Sequence, residues 1–313
     1  MVAPGFWYHP AGPLLRLIGP LAPGRKAGRR VAVAPPIPVI AVGSLSLGGT
    51  GKTPTVIAIA QRLAMQGSRA HVVTKGPGAP LMVDERSLDP VEVGDEPLLI
   101  AAFAPTWVAA DPAEGIGAAA RAGAEVVVLD GGVPDAVAVA KALIVVEDAV
   151  RGFGNGLAWP LGPLKRRLRA GLAEVDLVIA IGPDPAQAAF RAQWGAALRC
   201  PIAPAHLAPL ETGLDWAGLD VLAFAGIGAP ERFFATLKGL GANLVRAQAL
   251  DDHQELTPAL MARLEHEAWA ANAQLVTTEK DAVRLPRAFR QNVVSLPVRL
   301  ALEDWAPLDA LLA

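Results

Sequence analysis

The stretch Gly48-Gly-Thr-Gly-Lys-Thr53 lies between an apolar run at 38–43 and a helical pattern at 52–66. Glycines let main-chain N–H groups turn inward around a phosphate, and a helix N-terminus adds partial positive charge there. Lys52 would reach the β- and γ-phosphates, and the Thr53 hydroxyl would ligate Mg²⁺. Pro54 suits a first helical turn, where its missing N–H leaves nothing unpaired. The nucleotide-binding loop is therefore expected at Ser46, Leu47, Gly48, Gly49, Thr50, Gly51, Lys52 and Thr53. Ser46 stands where the strict phosphate-loop pattern has its first glycine, but the glycines and lysine that wrap the phosphates are kept.

Other features narrow the chemistry. Partition-type ATPases carry a lysine just before the first glycine of such a loop, and here that position is Leu47. The guanine-reading pattern Asn-Lys-x-Asp is absent; the nearest stretch is Thr278-Glu-Lys-Asp281, so adenine is the expected base. Asp130 ends the apolar run 125–130, and a carboxylate at the end of a buried strand beside a phosphate loop holds Mg²⁺, directly or through water. The alternative is a turn-capping Asp before Gly131. Asp95 and Glu96 close a long Gly- and Pro-rich loop at 76–95. They could take a proton from an attacking alcohol or attend a metal, or simply cap the helix expected at 97–103. His253, of five histidines, alone follows two acids; it could orient a base or lie in a surface loop before helix 257–271.

Periodicity supplies the elements that must position these groups. Strand patterns at 37–43, 69–74, 106–110, 125–130, 143–147 and 175–181 alternate with helical patterns at 52–66, 112–122 and 184–196. Such alternation implies βαβ units and a mainly parallel sheet, the architecture of phosphate-loop NTPases. Breaker-rich sequence at 200–215 reads as a linker. A second, smaller α/β pattern follows: strand 220–225, helix 230–240, strand 243–249, helix 257–271, and strands 274–278 and 293–298. The expected division is an N-terminal segment 1–30, a phosphate-loop domain 31–205 and a C-terminal domain 206–313.

Length and charge set further bounds. With 313 residues the chain can bury two cores, and a net charge of −2 gives no global field for nucleic acid. One cysteine permits no internal disulfide, which fits a reducing compartment. No apolar run reaches the roughly 18–20 residues of a spanning helix. The first thirty residues combine Phe6-Trp7-Tyr8, scattered leucines, and the cations Arg25, Lys26, Arg29 and Arg30. That order suits a segment lying in a membrane interface; a short helix packed on the domain is the alternative.

Several stretches together resemble the tetraacyldisaccharide 4′-kinase family, the lipid A 4′-kinases of Gram-negative bacteria. They are the run 38–54, Val93-Gly-Asp-Glu-Pro-Leu-Leu99, Gly152-Phe-Gly-Asn-Gly156 with Gly162-Pro-Leu164, the run 225–234, Asp252-His253, and Thr277-Thr-Glu-Lys-Asp-Ala-Val-Arg-Leu285. The resemblance implies transfer of the γ-phosphate of ATP to the 4′-hydroxyl of an acylated glucosamine disaccharide 1-phosphate. It implies ATP and Mg²⁺ as cofactors, and peripheral attachment at the cytoplasmic face of the inner membrane, against an anionic surface. No nucleic acid and no obligatory protein partner are expected. By the same resemblance, Asp95 is the general base, His253 its partner, Lys52 a catalytic cation, and Thr53, Asp130 and Glu96 the magnesium residues. Lys75 and Asn155 fall on the substrate side. The chain departs from the family pattern at Thr74-Lys-Gly-Pro-Gly78, which lacks the usual aromatic. It departs again at Gly131, where a second Asp is usual, and at Arg166, where an acid is usual. Two competing readings remain: a family member with weak activity, and a phosphate-loop ATPase switch acting on a protein partner.

Overall fold

The computed structural model describes the chain except for residues 1–3, 13, 14, 16, 18, 20, 21, 23, 25–33, 85–89, 132–139 and 253. The elements begin with β1 (Val39–Gly43), α1 (Lys52–Met65), β2 (Ala70–Lys75), β3 (Leu81–Met82), α2 (Pro90–Val93), α3 (Asp95–Ala101), β4 (Thr106–Ala109), α4 (Pro112–Arg121) and β5 (Val126–Asp130). There follow β6 (Ala142–Asp148), α5 (Leu168–Leu172), β7 (Leu177–Ile181), α6 (Asp184–Trp194) and β8 (Ile202–Pro209). The chain ends with β9 (Asp220–Ala225), α7 (Pro230–Gly239), β10 (Asn243–Ala249), α8 (Pro258–Ala270), β11 (Gln274–Thr278), α9 (Glu279–Ala282), β12 (Val293–Leu296), β13 (Val298–Leu302) and α10 (Ala306–Leu312).

Two compact units emerge. The larger comprises Met1–Asp84, Ile100–Leu207 and Leu300–Ala313; the smaller comprises Glu85–Leu99 and Ala208–Arg299. This differs from the linear division at 205/206. The segment holding Asp95 groups with the later part of the chain, because Asp95 and Glu96 face cations of the smaller unit. The C-terminus returns to the larger unit, where Asp309 of α10 accepts two hydrogen bonds from Arg62 of α1.

The larger unit is built on a nine-stranded sheet in the order β13-β8-β7-β6-β1-β5-β2-β4-β3. Pairing is parallel from β8 through β4, and β3 runs antiparallel at one edge. β1, β5, β6 and β7 are buried along their whole length, as strands covered on both faces must be. One face packs Val39, Ala41, Val127, Leu129, Leu143 and Val145 into a shared core. Within α1, Val56, Ile59, Ala60 and Leu63 are buried; their i, i+3, i+4, i+7 spacing forms one apolar stripe. α4 starts at Asp111, whose carboxylate accepts from Ala113 N at 2.9 Å, with Pro112 in the first turn.

The smaller unit holds a four-stranded sheet, β10-β9-β11-β12. Alternation along β9 sorts its side chains cleanly. Val221, Ala223 and Ala225 face one core with Phe233 and Leu237 of α7. Leu222 and Phe224 face the other with Met261, Leu264 and Ala268 of α8. The region read as a linker contains β8, which pairs with β7 from Val178↔Ile202 to Ile181↔Ala205. Tertiary pairing overrides its prolines there.

Candidate active site

The loop after β1 separates into a fastened base and an open rim. At the base, Leu45 N and Ser46 N donate to Glu147 Oε1 at 2.6 and 3.0 Å, and Leu47 N donates to Pro163 O at 2.9 Å. The Ser46 hydroxyl lies 3.4 Å from Gly152 O. Ser46 and Leu47, expected to contact nucleotide, thus have their amides engaged by the protein. Beyond them the pattern changes. Among the described residues, the main-chain N–H groups of Gly48, Gly49, Thr50, Gly51, Lys52 and Thr53 find no main-chain acceptor. They form a row of donors at the N-terminus of α1, the arrangement that binds a phosphate anion.

The glycines are required by geometry at two points. Gly48 and Gly51 have φ of +101° and +93°, in the left-handed region. A Cβ on Gly51 would also sit 2.5 Å from Ile181 Cδ1. Thr50 is buried, and its Oγ1 has no hydrogen-bond partner among the described residues. Lys52 and Thr53 open α1 and are partly exposed. Arg151 also reaches the rim, its Nη1 lying 3.9 Å from the position a Gly48 Cβ would take. Its guanidinium lies over the Tyr8 ring, 5.7 Å from the centroid.

Two strand-end carboxylates flank this loop. Asp130 ends β5, opposite Val42 of β1 and Thr74 of β2, and is buried. Gly131 N donates to Val42 O at 3.1 Å, which ties the turn after Asp130 to the end of β1. Ligands of open α/β sheets bind at these C-terminal strand ends. Asp148 ends β6 on the other side of β1, buried, with Arg151 Nε 3.8 Å from its Oδ2. Sequence reasoning passed over Asp148, although it carries the signal that marked Asp130: an acid closing an apolar strand. Lys75 ends β2 in an exposed position. Among the described residues, no group of three or more His, Cys, Asp or Glu side chains could hold a metal by itself. Mg²⁺ is commonly held by one or two carboxylates together with substrate phosphates, and Asp130 places one buried carboxylate at this end of the sheet.

Asn155 lies in the loop between β6 and α5. Its Nδ2 donates to Leu161 O at 2.9 Å, its Oδ1 accepts from Leu157 N at 3.0 Å, and its main-chain N donates to Trp7 O at 2.6 Å. Both ends of the amide help shape the 152–165 loop. Trp7 is buried against that loop, with Nε1 donating to Pro160 O at 3.1 Å. Among the described residues of the N-terminal segment, Trp7 thus packs on that loop. Phe6, Leu17 and Trp159 are exposed.

The smaller unit carries its own cluster. Asp95 and Glu96 form the first turn of α3 after Gly94, whose φ is +93°. Asp95 Oδ1 accepts from Glu96 N at 3.0 Å. Its Oδ2 faces Lys280 Nζ at 3.9 Å and Arg284 Nε at 3.8 Å, and Lys280 Nζ also donates to Glu96 at 3.1 Å. Behind this pair, fully buried Asp281 accepts from Arg284, from Thr278 Oγ1 at 2.7 Å and from Gly226 N at 3.1 Å. The structure thus links Asp95 to the Thr277–Leu285 stretch, whose Lys280 and Arg284 had no role assigned from sequence. His253 lies outside the described residues.

The LpxK model, tetraacyldisaccharide-1-P 4′-kinase, matches residues 10–313. The chain belongs to the LpxK family. It is similar to the tetraacyldisaccharide 4′-kinase of Jannaschia sp. (strain CCS1), at 50% identity over 99% of this chain and 98% of that one. It is likewise 50% identical to the enzyme of that name in Dinoroseobacter shibae, covering 100% and 97% of the two chains. A crystal structure of LpxK from Aquifex aeolicus in complex with ATP shares the fold, with a TM-score of 0.68 at 21% identity over 91% of this chain and 90% of that chain. As an LpxK-family member the chain is a kinase of lipid A biosynthesis, acting on a hydroxyl. The α/β phosphate-loop fold expected from sequence is the fold observed.

Proposed function

We propose that the chain transfers the γ-phosphate of ATP to the 4′-hydroxyl of a tetraacylated glucosamine disaccharide 1-phosphate, at the cytoplasmic face of the inner membrane. The observation that carries this reading is the row of amides from Gly48 to Thr53 that have no main-chain acceptor among the described residues, at the same end of the sheet as Asp130, in a chain of the LpxK family. Those amides and Lys52 bind the phosphates of ATP and stabilise charge that builds in the transition state. Thr53 and Asp130 hold Mg²⁺, with Glu96 as a further carboxylate; the ion, when bound, neutralises phosphate charge. Asp95 accepts the proton of the attacking hydroxyl, with His253 as its partner. A positioned carboxylate of this kind contributes about 10²–10⁴ in rate. Lys75 serves the sugar or its phosphate.

The acyl chains require the enzyme to come to a bilayer. Among the described residues no helix is long and apolar enough to cross one. Exposed Phe6, Leu17 and Trp159 offer apolar contact, and each Lys or Arg near an anionic leaflet contributes about 1 kcal/mol. A variant lacking residues 1–30 is expected to lose flotation with anionic liposomes.

Incubation of the protein with radiolabelled ATP and purified tetraacyldisaccharide 1-phosphate tests the reaction itself. Label at the 4′ position is expected. ATP turnover that needs a protein partner and leaves the lipid unlabelled would favour an ATPase switch instead.

A further inference from the structure

The turn leading from β1 into the phosphate-binding loop is fastened by a carboxylate to which the reaction assigns no role. Glu147 is the penultimate residue of β6 and is 0% exposed. β6 pairs with β1 up to Gly43↔Val145, so residue 147 lies alongside the chain just after β1 ends. There its Oε1 takes the amides of Leu45 and Ser46. Lys165 grips the same turn: its Nζ donates to Ser44 O at 3.1 Å and Ser44 Oγ at 2.9 Å, and its main-chain N donates to Leu45 O at 2.8 Å. The amides of residues 45–47 are thus all taken by groups outside the loop, and those of residues 48–53 find no main-chain acceptor among the described residues.

That division is not what an apolar strand would give. A valine or isoleucine at 147 would continue the buried run of β6 and leave both amides without this acceptor, which buried N–H groups rarely tolerate. Burying a carboxyl is unfavourable unless its hydrogen bonds repay the cost. Burial pushes Glu147 up to about 7, against the opposing pull of the Ser46 hydroxyl, the two amides and Lys165. Tyr8, on the N-terminal segment, also feels its charge. Its Oε2 has no hydrogen-bond partner among the described residues, so the two amides are the contacts that justify its place.

We propose that Glu147 is a positioning residue of the nucleotide site, holding the amides of residues 45 and 46 inward so that those of 48–53 stay aligned and free for the phosphates of ATP. It touches no reacting atom and acts through the loop. The proposal rests on the reading of that loop as the ATP site.

Calorimetric titration of the full-length protein with ATP and Mg²⁺, beside thermal unfolding of each variant, tests it without the lipid reaction. Glu147→Leu keeps the volume and removes the acceptor; ATP affinity is expected to fall about tenfold or more, the loss of roughly one strong hydrogen bond. Glu147→Gln keeps an acceptor and is expected to recover most of that loss. A folded Glu147→Leu protein that binds ATP like wild type overturns the proposal, and so does a Glu147→Gln protein as weak as Glu147→Leu. Should Glu147→Leu fail to fold, Glu147→Met takes its place with the same expected loss; a folded Glu147→Met protein that binds ATP like wild type overturns the proposal. Wild-type protein that binds no ATP overturns the nucleotide reading and this inference together.

Discussion

The two candidate clusters, one in each unit, use charge differently. In the larger unit, Glu147 and Lys165 hold the turn before the loop through its main chain, Asp111 caps α4, and the amides of residues 48–53 have no main-chain acceptor among the described residues. In the smaller unit, charged side chains face one another, with Asp95 and Glu96 opposite Lys280 and Arg284, and Asp281 behind. The first arrangement presents a row of main-chain donors at a helix N-terminus, which suits an anion. The second keeps a carboxylate in reach of cations, where small movements alter its partners. Binding should therefore be sensitive to changes in the larger unit, and proton transfer to changes in the smaller one.

The largest expected effect that sharpens this contrast comes from Lys52→Ala. Removal of a preorganised phosphate-facing cation should cut transfer about 10²–10³-fold, read from initial rates at saturating lipid. Next is Arg284→Met, which strands the fully buried carboxylate of Asp281. Breaking a buried pair costs about 3–5 kcal/mol; the denaturant midpoint of the smaller unit should fall while ATP binding stays near wild type. Loss of ATP binding in this variant would break the contrast.

Glu147 gives a pH signature. Its folded value of about 7 lies above the ordinary 4.5. A raised carboxyl favours the folded state below the unfolded value, and that favour is lost as pH rises through the folded one. Wild type should therefore lose on the order of 3 kcal/mol between pH 4.5 and 7 relative to Glu147→Gln. Buried His71 is shifted down by desolvation, so its contribution runs the other way, and only the difference between the two proteins isolates Glu147. The smallest effect is expected from Arg62→Ala. The Arg62–Asp309 pair leaves its side chains 32% and 30% exposed, so its loss should cost no more than about 1 kcal/mol in thermal unfolding.

Much of the larger unit was legible in the sequence because its strands are buried on both faces and read as continuous apolar runs. Val126–Asp130 and Gly48–Thr53 needed no tertiary information. β8 was hidden by Pro204 and Pro209, and its pairing with β7 is a long-range contact that local composition does not report. The discontinuous units were hidden for the same reason: Asp95 joins the later part of the chain through charges remote in sequence. The helix expected at 97–103 is observed as Asp95–Ala101, which moves both acids from a cap into the first turn. Glu147 escaped notice because a carboxyl at the end of an apolar run reads as a strand terminus. Only the structure shows that its partners are the amides of another strand's loop.

Single-turnover transfer by Asp95→Asn, with ATP affinity measured on the same protein, tests the division of labour most directly. The expected result is an ATP dissociation constant near wild type, with transfer slowed by at least about 10²-fold. Transfer at close to the wild-type rate, or collapse of ATP binding instead, would contradict it.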